Sequence, residues 1–548
     1  MPKRIRPYLA PAFLALLGFL VRWRYSHFER TVWGDEPFYL WLGRNWFHGR
    51  GYALAFTGHL DYHHTPGYPF ITAVLTAVTG DMKRASEWSF ILFGVVLILA
   101  VYALACRIYG PRTAFAAGGL VALAPVTSLM PLYWGTMTEP PYWAFCFLGI
   151  LFAHRAYTRF RASDVILSGV LFALGYYVRP EAVVYVGAMG LVLGLRALTA
   201  PPRLRRLAYP ALLGLTFFIV IFPFLAYVRQ QAGVWTISQK VGANFATAEG
   251  LASGDFERFD RETWGLDSKG ENVRFFSRET ADASASAYIL ANPIGYVRTV
   301  YGNILDLLAT ILSPRLLPSF FLLFVGLGLF ARGWTRRRAW DELFLVATLL
   351  PGISFVLFFV QERYLAPLPP TLFIWTAHGL AIAGDWLDET LTNLRRGGSP
   401  ATAAAKAASP WLVWAPTALM LVFLLVYTPR QVAAATNPGS SRPAHDLAAM
   451  ALKPYIQAGD VVMSRYVAIP FEAGAEWVPT PAADVKDVLD YARRKGVRFW
   501  AIDAVEVAKL RPQFADLLEH PDQAPPGLEF VTQVTDKDGP VVIYRLDK

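Results

Sequence analysis

Cysteine is nearly absent from this chain: two occur in 548 residues, Cys106 and Cys146, both inside apolar runs. That excludes a disulfide framework and a paired CxxC metal site. Charge is scarce as well, with Asp, Glu, Lys and Arg at 17% of residues against 55% hydrophobic, and a mean hydropathy of +0.35. A soluble multidomain protein needs more charge than this, so the composition is that of an integral membrane protein. The formal net charge is +10. Its basic residues fall in short clusters between apolar runs, not along one stripe or in RNA-binding motifs, which argues against a nucleic-acid partner. No internal repeat of the kind that marks many transporters is present.

What is abundant is apolar sequence. The first run, Tyr8 to Val21, follows "MPKRIR" and is followed by "RWRYSHFER" instead of a small-residue cleavage site, so it reads as an uncleaved anchor. Further runs fall near 88–106, 113–131, 140–154, 163–178, 182–197, 208–228, 317–331, 342–360, 367–384 and 410–428, which makes about eleven predicted transmembrane helices. "CRIYGPR", "HRAYTRFRAS", "LRALTAPPRLRRLA", "ARGWTRRRAWDE" and "LRRGGSPATAAAKAAS" alternate onto the side of the basic N-terminus, which the positive-inside rule assigns to the cytoplasm. The outer side then receives the loop 22–87, the Met130 to Pro141 loop, "YVRPEA", the long loop 229–315, "VQERYLAP" and the C-terminal tail. Beyond about Tyr427, "AGDVVMSRY", "DVLDYARRKGVRFWAID" and "LEFVTQVTDKDGPVVIYRL" read as a strand, an amphipathic helix leading into a strand, and a hairpin across "DKDG". The expectation is a polytopic α-helical membrane domain over 1–428 and a small extracytoplasmic α/β domain over 429–548. This second domain has no Gly-rich loop opening a helix, so nothing in it cradles a nucleotide phosphate.

Against this topology one stretch stands out, "VWGDEPFYLWLGRNWFHGRGY", Val32 to Tyr52. Asp35 and Glu36 lie at the outer mouth of the first span, among Trp33, Phe38, Tyr39, Trp41 and Trp46, as in a segment resting in the membrane interface. A carboxyl held there is partly desolvated, which raises its pKa towards a useful value for a general base. Arg22, Arg24, Arg30, Arg179, Arg315 and Arg363 also fall at outer span ends, where the positive-inside rule expects few. Some read as snorkelling side chains. Arginine in an interfacial cleft also matches a lipid phosphate held by a planar fork.

"GDEPFYLWLGRNWFHGRGY" and "HHTPGYPFITA", followed by "TEPPYWAFCFLGILFA", "YVRPEAVV", "NPIGYVRTVYGNIL" and "ERYLAPLPPTLFIWTAHGL", resemble the GT-C membrane glycosyltransferases. Within them the resemblance is to the protein O-mannosyltransferase and aminoarabinose transferase group, over essentially the whole length. It implies a GT-C fold in the cell membrane, N-terminus cytoplasmic and C-terminal domain outside. It also implies an enzyme that moves a sugar from a polyprenyl-phosphate donor to a hydroxyl or amine on a glycan, lipid or protein acceptor, with inversion. The active site is then framed by outer loops 22–87 and 229–315.

Residue by residue, Asp35 matches the family's catalytic acid and is assigned as general base, with Glu36 beside it to orient the acceptor. Glu139 in "TEPP" matches a second outer-loop acid, for acceptor hydroxyls or a divalent cation; its other reading is a helix N-terminal Glu followed by Pro. Arg363 and Tyr364 in "ERYL", and Arg179 with Glu181 in "RPEA", are assigned to phosphate and sugar contacts, or to a structural ion pair. "HHTPGYP" departs from the commonest family pattern, where a basic residue and paired prolines stand. His63 and His64 there replace that charge, join Asp61 at a metal, or are solvated loop residues. No cofactor is called for, and a divalent cation stays open. The alternative to an enzyme is a transporter or flippase of lipid-linked sugars.

Overall fold

The computed structural model describes residues 6–199, 202–238, 254–277, 289–290, 292–313, 316–395, 411–432 and 442–547. Arg315 and the predicted basic loop at 396–410 lie outside them, as do 200–201, 239–253, 278–288 and 433–441.

Helix dominates the membrane part. α1 (Arg6–Tyr25) is followed by two helices in the predicted outer loop, α2 (Glu36–Phe47) and α3 (Gly67–Thr79), then by α4 (Met82–Tyr109) and α5 (Pro111–Leu123). α6 (Glu139–Arg159), α7 (Ala162–Val178), α8 (Ala182–Leu198) and α9 (Arg203–Ala232) run on in short-looped succession. α10 (Pro293–Ile311), α11 (Phe321–Phe330), α12 (Arg336–Ala347), α13 (Leu368–Arg395) and α14 (Ala415–Arg430) complete it. Leu97, Val101, Phe147, Phe172, Met189 and Phe344 belong to one buried cluster that joins these helices. On α9, by contrast, Leu215, Ile219 and Phe222 share one face and are exposed. An apolar face left uncovered at helical spacing is a face for lipid.

Among the described residues four segments suffice by length and composition to cross a membrane, Met82–Tyr109, Arg206–Ala232, Arg336–Leu357 and Leu412–Arg430, and shorter apolar helices such as α7, α8 and α11 join them. The expected count of about eleven crossings rests on the sequence. Two predicted spans are interrupted. The run at 113–131 ends as α5 at Leu123, because Pro125 opens a new short helix, Pro125–Ser128. The run at 342–360 breaks after α12 into a turn over Leu350–Ile353, with Pro351 in its first turn, and a 3₁₀ turn over Ser354–Leu357. Inside the predicted loop 229–315, α10 is latched to this turn by Asn303, whose amide donates to the carbonyls of Val356 and Phe358 at 2.9 Å each.

The C-terminal part is a five-stranded sheet in the order β2-β1-β3-β5-β4, with β1 (Val461–Ser464), β2 (Glu476–Pro479), β3 (Val497–Asp503), β4 (Leu528–Asp536) and β5 (Gly539–Leu546). β1 pairs in parallel with β2 and β3; β5 runs antiparallel to β3 and β4. The strand, helix and hairpin expected from the sequence are present. β2 was not foreseen, since four residues ending in proline carry no readable alternation. One face of the sheet is covered by a helix, Pro443–Leu452, through Ala444, Ala448 and Leu452. The other face shares a buried cluster with the outer loops: Phe38, Trp41, Tyr52, Phe56 and Phe276 pack with Trp477, Val488 and Trp500.

The helix order places the basic connections Arg159–Arg161 and Arg332–Arg338 at the ends of helices opposite Glu139, Arg179 and Arg363. Topology is tested by single cysteines at Lys269 and Lys537, on the outer loop and the sheet domain, and at Arg161 and Arg337, after replacing Cys106 and Cys146. Impermeant reagents should label the first two in intact cells and spare the second two. Labelling of Arg161→Cys with protection of Lys537→Cys would reverse the orientation.

Candidate active site

Four chain segments meet where the helices end on the side of the sheet domain. The first is the entry to α2. Gly34, at φ +67°, crosses Gly135, at φ +71°, so closely that a Cβ on Gly34 would stand 2.7 Å from the Gly135 carbonyl oxygen. Both positions need glycine, for the left-handed backbone and for the crossing itself. The Glu36 amide donates to the same carbonyl at 2.9 Å. Asp35 is the N-cap residue of α2 but makes no capping hydrogen bond, and Pro37 occupies the first turn, where its missing N–H costs nothing.

The second segment is the start of α6, where Glu139 follows Thr136 and Thr138. The third is the α7–α8 link, Arg179-Pro180-Glu181; the residue before a proline avoids helical backbone, and Arg179 is extended at φ −147°. The fourth runs from Ser354 to Leu365, ending in the 3₁₀ turn Glu362–Leu365.

A cavity of about 590 Å³ opens among them, and Asp35, His63, Arg179, Glu181, Arg363 and Tyr364 all line it. Tyr39, Thr65, Thr136 and Thr138 add hydroxyls, while Val183, Val184, Trp235, Ile237, Phe355 and Phe358 form an apolar wall. Pockets of this size take small ligands on a mostly apolar lining with few polar groups.

The other expected residues sit elsewhere. Glu36 is fully buried and faces away from the cavity: Arg30 grips both its oxygens at 2.8 and 2.9 Å, and Ser86 donates to it at 2.6 Å. Glu139 is buried beside the cavity, with Thr136 Oγ1 at 2.8 Å from both of its oxygens and Arg179 at 2.6 Å. Its carboxylate is thus committed to protein partners. His64 is buried against Asp61, which accepts from its backbone amide at 2.8 Å and lies 3.2 Å from its Nδ1. Burial alone would raise the Asp61 carboxyl, but His64 and His63 outweigh it and hold that pKa down at about 2. Among the described residues no three His, Cys, Asp or Glu side chains converge as a metal site.

The outer arginines divide. Arg22 is buried in the helix core, donating to the carbonyls of Val121 and Thr127 at 3.1 and 2.9 Å, and Arg24 lies over the Phe28 ring. Arg30 belongs to Glu36, with Glu87 at 3.5 Å. Arg179 bridges Glu139 and, at 3.2 Å, Glu181. Burial works against its charge, yet these two carboxylates outweigh it and keep the guanidinium pKa well above its ordinary value. Arg363 differs. It pairs with no carboxylate among the described residues; its Nη2 donates to the Tyr364 hydroxyl at 3.0 Å, and its Nε is buried without a partner. Burial opposes its charge too, but Tyr364, Asp35 and Glu139 raise its pKa overall. It is therefore a cation with hydrogen bonds to give.

Tyr39, Thr136 and the Trp235–Ser238 stretch were not anticipated as cavity residues. A signal for the last existed in "GVWTIS", where Gly233 caps α9 in left-handed conformation and returns the chain over the cavity.

The sequence pattern of the family described as dolichyl-phosphate-mannose-protein mannosyltransferase matches residues 63–227. No curated protein matches the sequence. In fold the chain is similar to the archaeal oligosaccharyltransferase AglB from Archaeoglobus fulgidus, solved in complex with an inhibitory peptide and a dolichol-phosphate. That match has 14% identity and a TM-score of 0.59, and covers 92% of this chain and 70% of that one. It is also similar to ArnT from Cupriavidus metallidurans, bound to undecaprenyl phosphate, at 14% identity and a TM-score of 0.53 over 98% of this chain and 97% of that one. The same protein in the apo state gives 14% identity, a TM-score of 0.51 and coverage of 99% and 98%. The fold is therefore one that this chain shares with AglB and ArnT, in line with the resemblance read from the sequence.

Proposed function

We propose that this chain transfers a sugar from a polyprenyl-phosphate carrier to a hydroxyl or amine acceptor at the outer face of the membrane, with Asp35 as general base. The observation that carries the reading is one cavity that gathers, from distant parts of the sequence, a carboxylate, Asp35, and a guanidinium, Arg363, that makes no ion pair among the described residues. The acceptor oxygen or nitrogen attacks the anomeric carbon, the bond from that carbon to the phosphate oxygen breaks, and the acceptor proton passes to Asp35. Prenyl phosphate leaves with the bonding pair. A single displacement from the face opposite the phosphate inverts the anomeric centre.

Phosphate is a competent leaving group, so positive charge at the departing oxygens matters more than a general acid. Arg363 supplies it, and Tyr364 aims its fork. Arg179, held by Glu139 and Glu181, is a positioning residue that braces the floor of the site. The apolar wall of Val183, Val184, Phe355 and Phe358 suits the first isoprene units on their way into lipid.

The test is transfer by the purified protein from a panel of polyprenyl-phosphate sugars to membrane extracts or defined acceptors. A protein that only moves lipid-linked sugars across the bilayer would leave the glycosyl–phosphate bond intact, and no observation in the fold favours that alternative. Arg363→Lys keeps the charge but loses the planar fork, so donor affinity should fall by about 1 to 3 kcal/mol, the scale of charged hydrogen bonds. Equal donor binding by wild type, Arg363→Lys and Arg363→Ala would remove Arg363 from the phosphate site.

A further inference from the structure

At the far ends of the same helices lies a cavity of about 520 Å³ that the transfer reaction does not use, lined by Tyr157, Arg196, Arg336, Arg337, Trp340 and Asp341 among others. α8, 17 residues long, separates it from the first cavity by roughly 25 Å along its axis. Three guanidinium groups face one carboxylate. Asp341 is already engaged, with His154 Nε2 at 3.2 Å, and reaches Arg337 only at 3.9 Å. Arg336 meets no carboxylate among the described residues. Arg196 stands between the rings of Tyr157 and Trp340, 5.7 Å from each centroid; its Nη1 makes one long bond of 3.3 Å to Thr199, and its Nε is buried with no partner. A buried guanidinium N–H without a partner, in a cavity that two further arginines line, asks for an oxyanion.

The surroundings say what carries that anion. On α8, Leu191, Leu195 and Leu198 are exposed, and on α12 and just beyond it Leu343, Val346 and Leu350. Spacings of three and four residues put Leu191, Leu195 and Leu198 on one face of α8, and Leu343 and Val346 on one face of α12. Trp340 lies four residues after Arg336 and three before Leu343, so cationic and apolar contacts share a stripe. α8 and α12 pack together, and the two apolar faces lead from the arginines towards the first cavity. A soluble phosphate would gain nothing from those leucines.

We propose that this cavity binds the phosphate of an anionic phospholipid, with Arg196, Arg336 and Arg337 on the headgroup and the acyl chains along the leucine faces of α8 and α12. Basic pockets between transmembrane helices recognise such headgroups, and arginine suits phosphate geometry. The site would couple the leaflet opposite the reaction to α8, whose first turn adjoins Glu181.

The experiment is native mass spectrometry of the full-length protein released from detergent containing phosphatidylglycerol, phosphatidylcholine or inorganic phosphate. One phosphatidylglycerol should stay bound, and its affinity should fall roughly tenfold for each arginine removed, in Arg336→Gln, in Arg336→Gln/Arg337→Gln and in the triple variant with Arg196→Gln. Arg336 and Arg337 are exposed, so the first two variants fold even if the triple does not. Arg332→Gln, an exposed arginine outside the cavity, should bind as wild type does. Equal retention of phosphatidylcholine, full retention of phosphatidylglycerol by the double variant, or displacement of the lipid by inorganic phosphate would each overturn the proposal.

Discussion

Asp35→Asn should cut the rate of sugar transfer by about a hundredfold or more, the usual scale when a general base is lost, while the donor still binds. The substitution keeps shape and size and removes only the capacity to take a proton. Asp35 makes no side-chain capping hydrogen bond to α2 that asparagine would forfeit. Removing a negative charge from the cavity of Arg363 should leave donor affinity equal or tighter, since one repulsion with the lipid phosphate disappears. Transfer rate and donor affinity have to be measured on the same purified variant. Near wild-type turnover by a folded Asp35→Asn protein would make Asp35 an ordinary loop charge and end the proposed mechanism.

Glu36→Ala should fail differently, by destabilising the protein. Breaking a buried ion pair from one side leaves an uncompensated charge, at a typical cost of about 3 to 5 kcal/mol. Arg30 would retain Glu87 at 3.5 Å and the Ser86 hydroxyl at 2.8 Å, so the loss should fall towards the lower end of that range. Glu36→Gln keeps an acceptor for Arg30 and Ser86 and should cost less. Replacing Arg30 and Glu36 together by methionine and leucine should recover much of the stability lost in the single variant, because two well-packed apolar groups strand no charge. Thermal unfolding in detergent reads all three. If Glu36→Ala unfolded like wild type yet lost transfer, Glu36 would belong with the acceptor after all.

The fate of Glu36 shows where reading a sequence stops. Composition, charge alternation and the order of short motifs were enough for a multi-span helical chain, a C-terminal α/β part, and the residues Asp35, Arg179, Glu181, Arg363 and Tyr364 that share the cavity. What could not be read was the direction of each side chain. Asp35 and Glu36 are neighbours, but successive residues at a helix start point about 100° apart. Glu36 therefore turns inward to Arg30, whereas Asp35 lines the cavity. The same holds for the arginines. Their position near outer span ends was legible; that Arg22 serves backbone carbonyls and Arg30 a glutamate is a matter of long-range packing. Trp235 to Ser238 escaped notice because the apolar wall they complete comes from segments far apart in sequence. The break at Pro351–Gly352 was legible in principle but hidden within a run of uniform hydropathy.

The cluster that joins Phe38, Trp41 and Phe56 to Trp477 and Trp500 has a consequence for how this protein can be divided. A chain cut after α14 would lose the aromatic cover of α2 and expose its rings to water beside Asp35. The excised sheet would in turn present Trp477 and Val488 uncovered. Neither fragment would be a self-sufficient unit, so recombination that exchanged the C-terminal region with that of a distant homologue would have to carry the first outer loop with it, although some four hundred residues separate them in the gene.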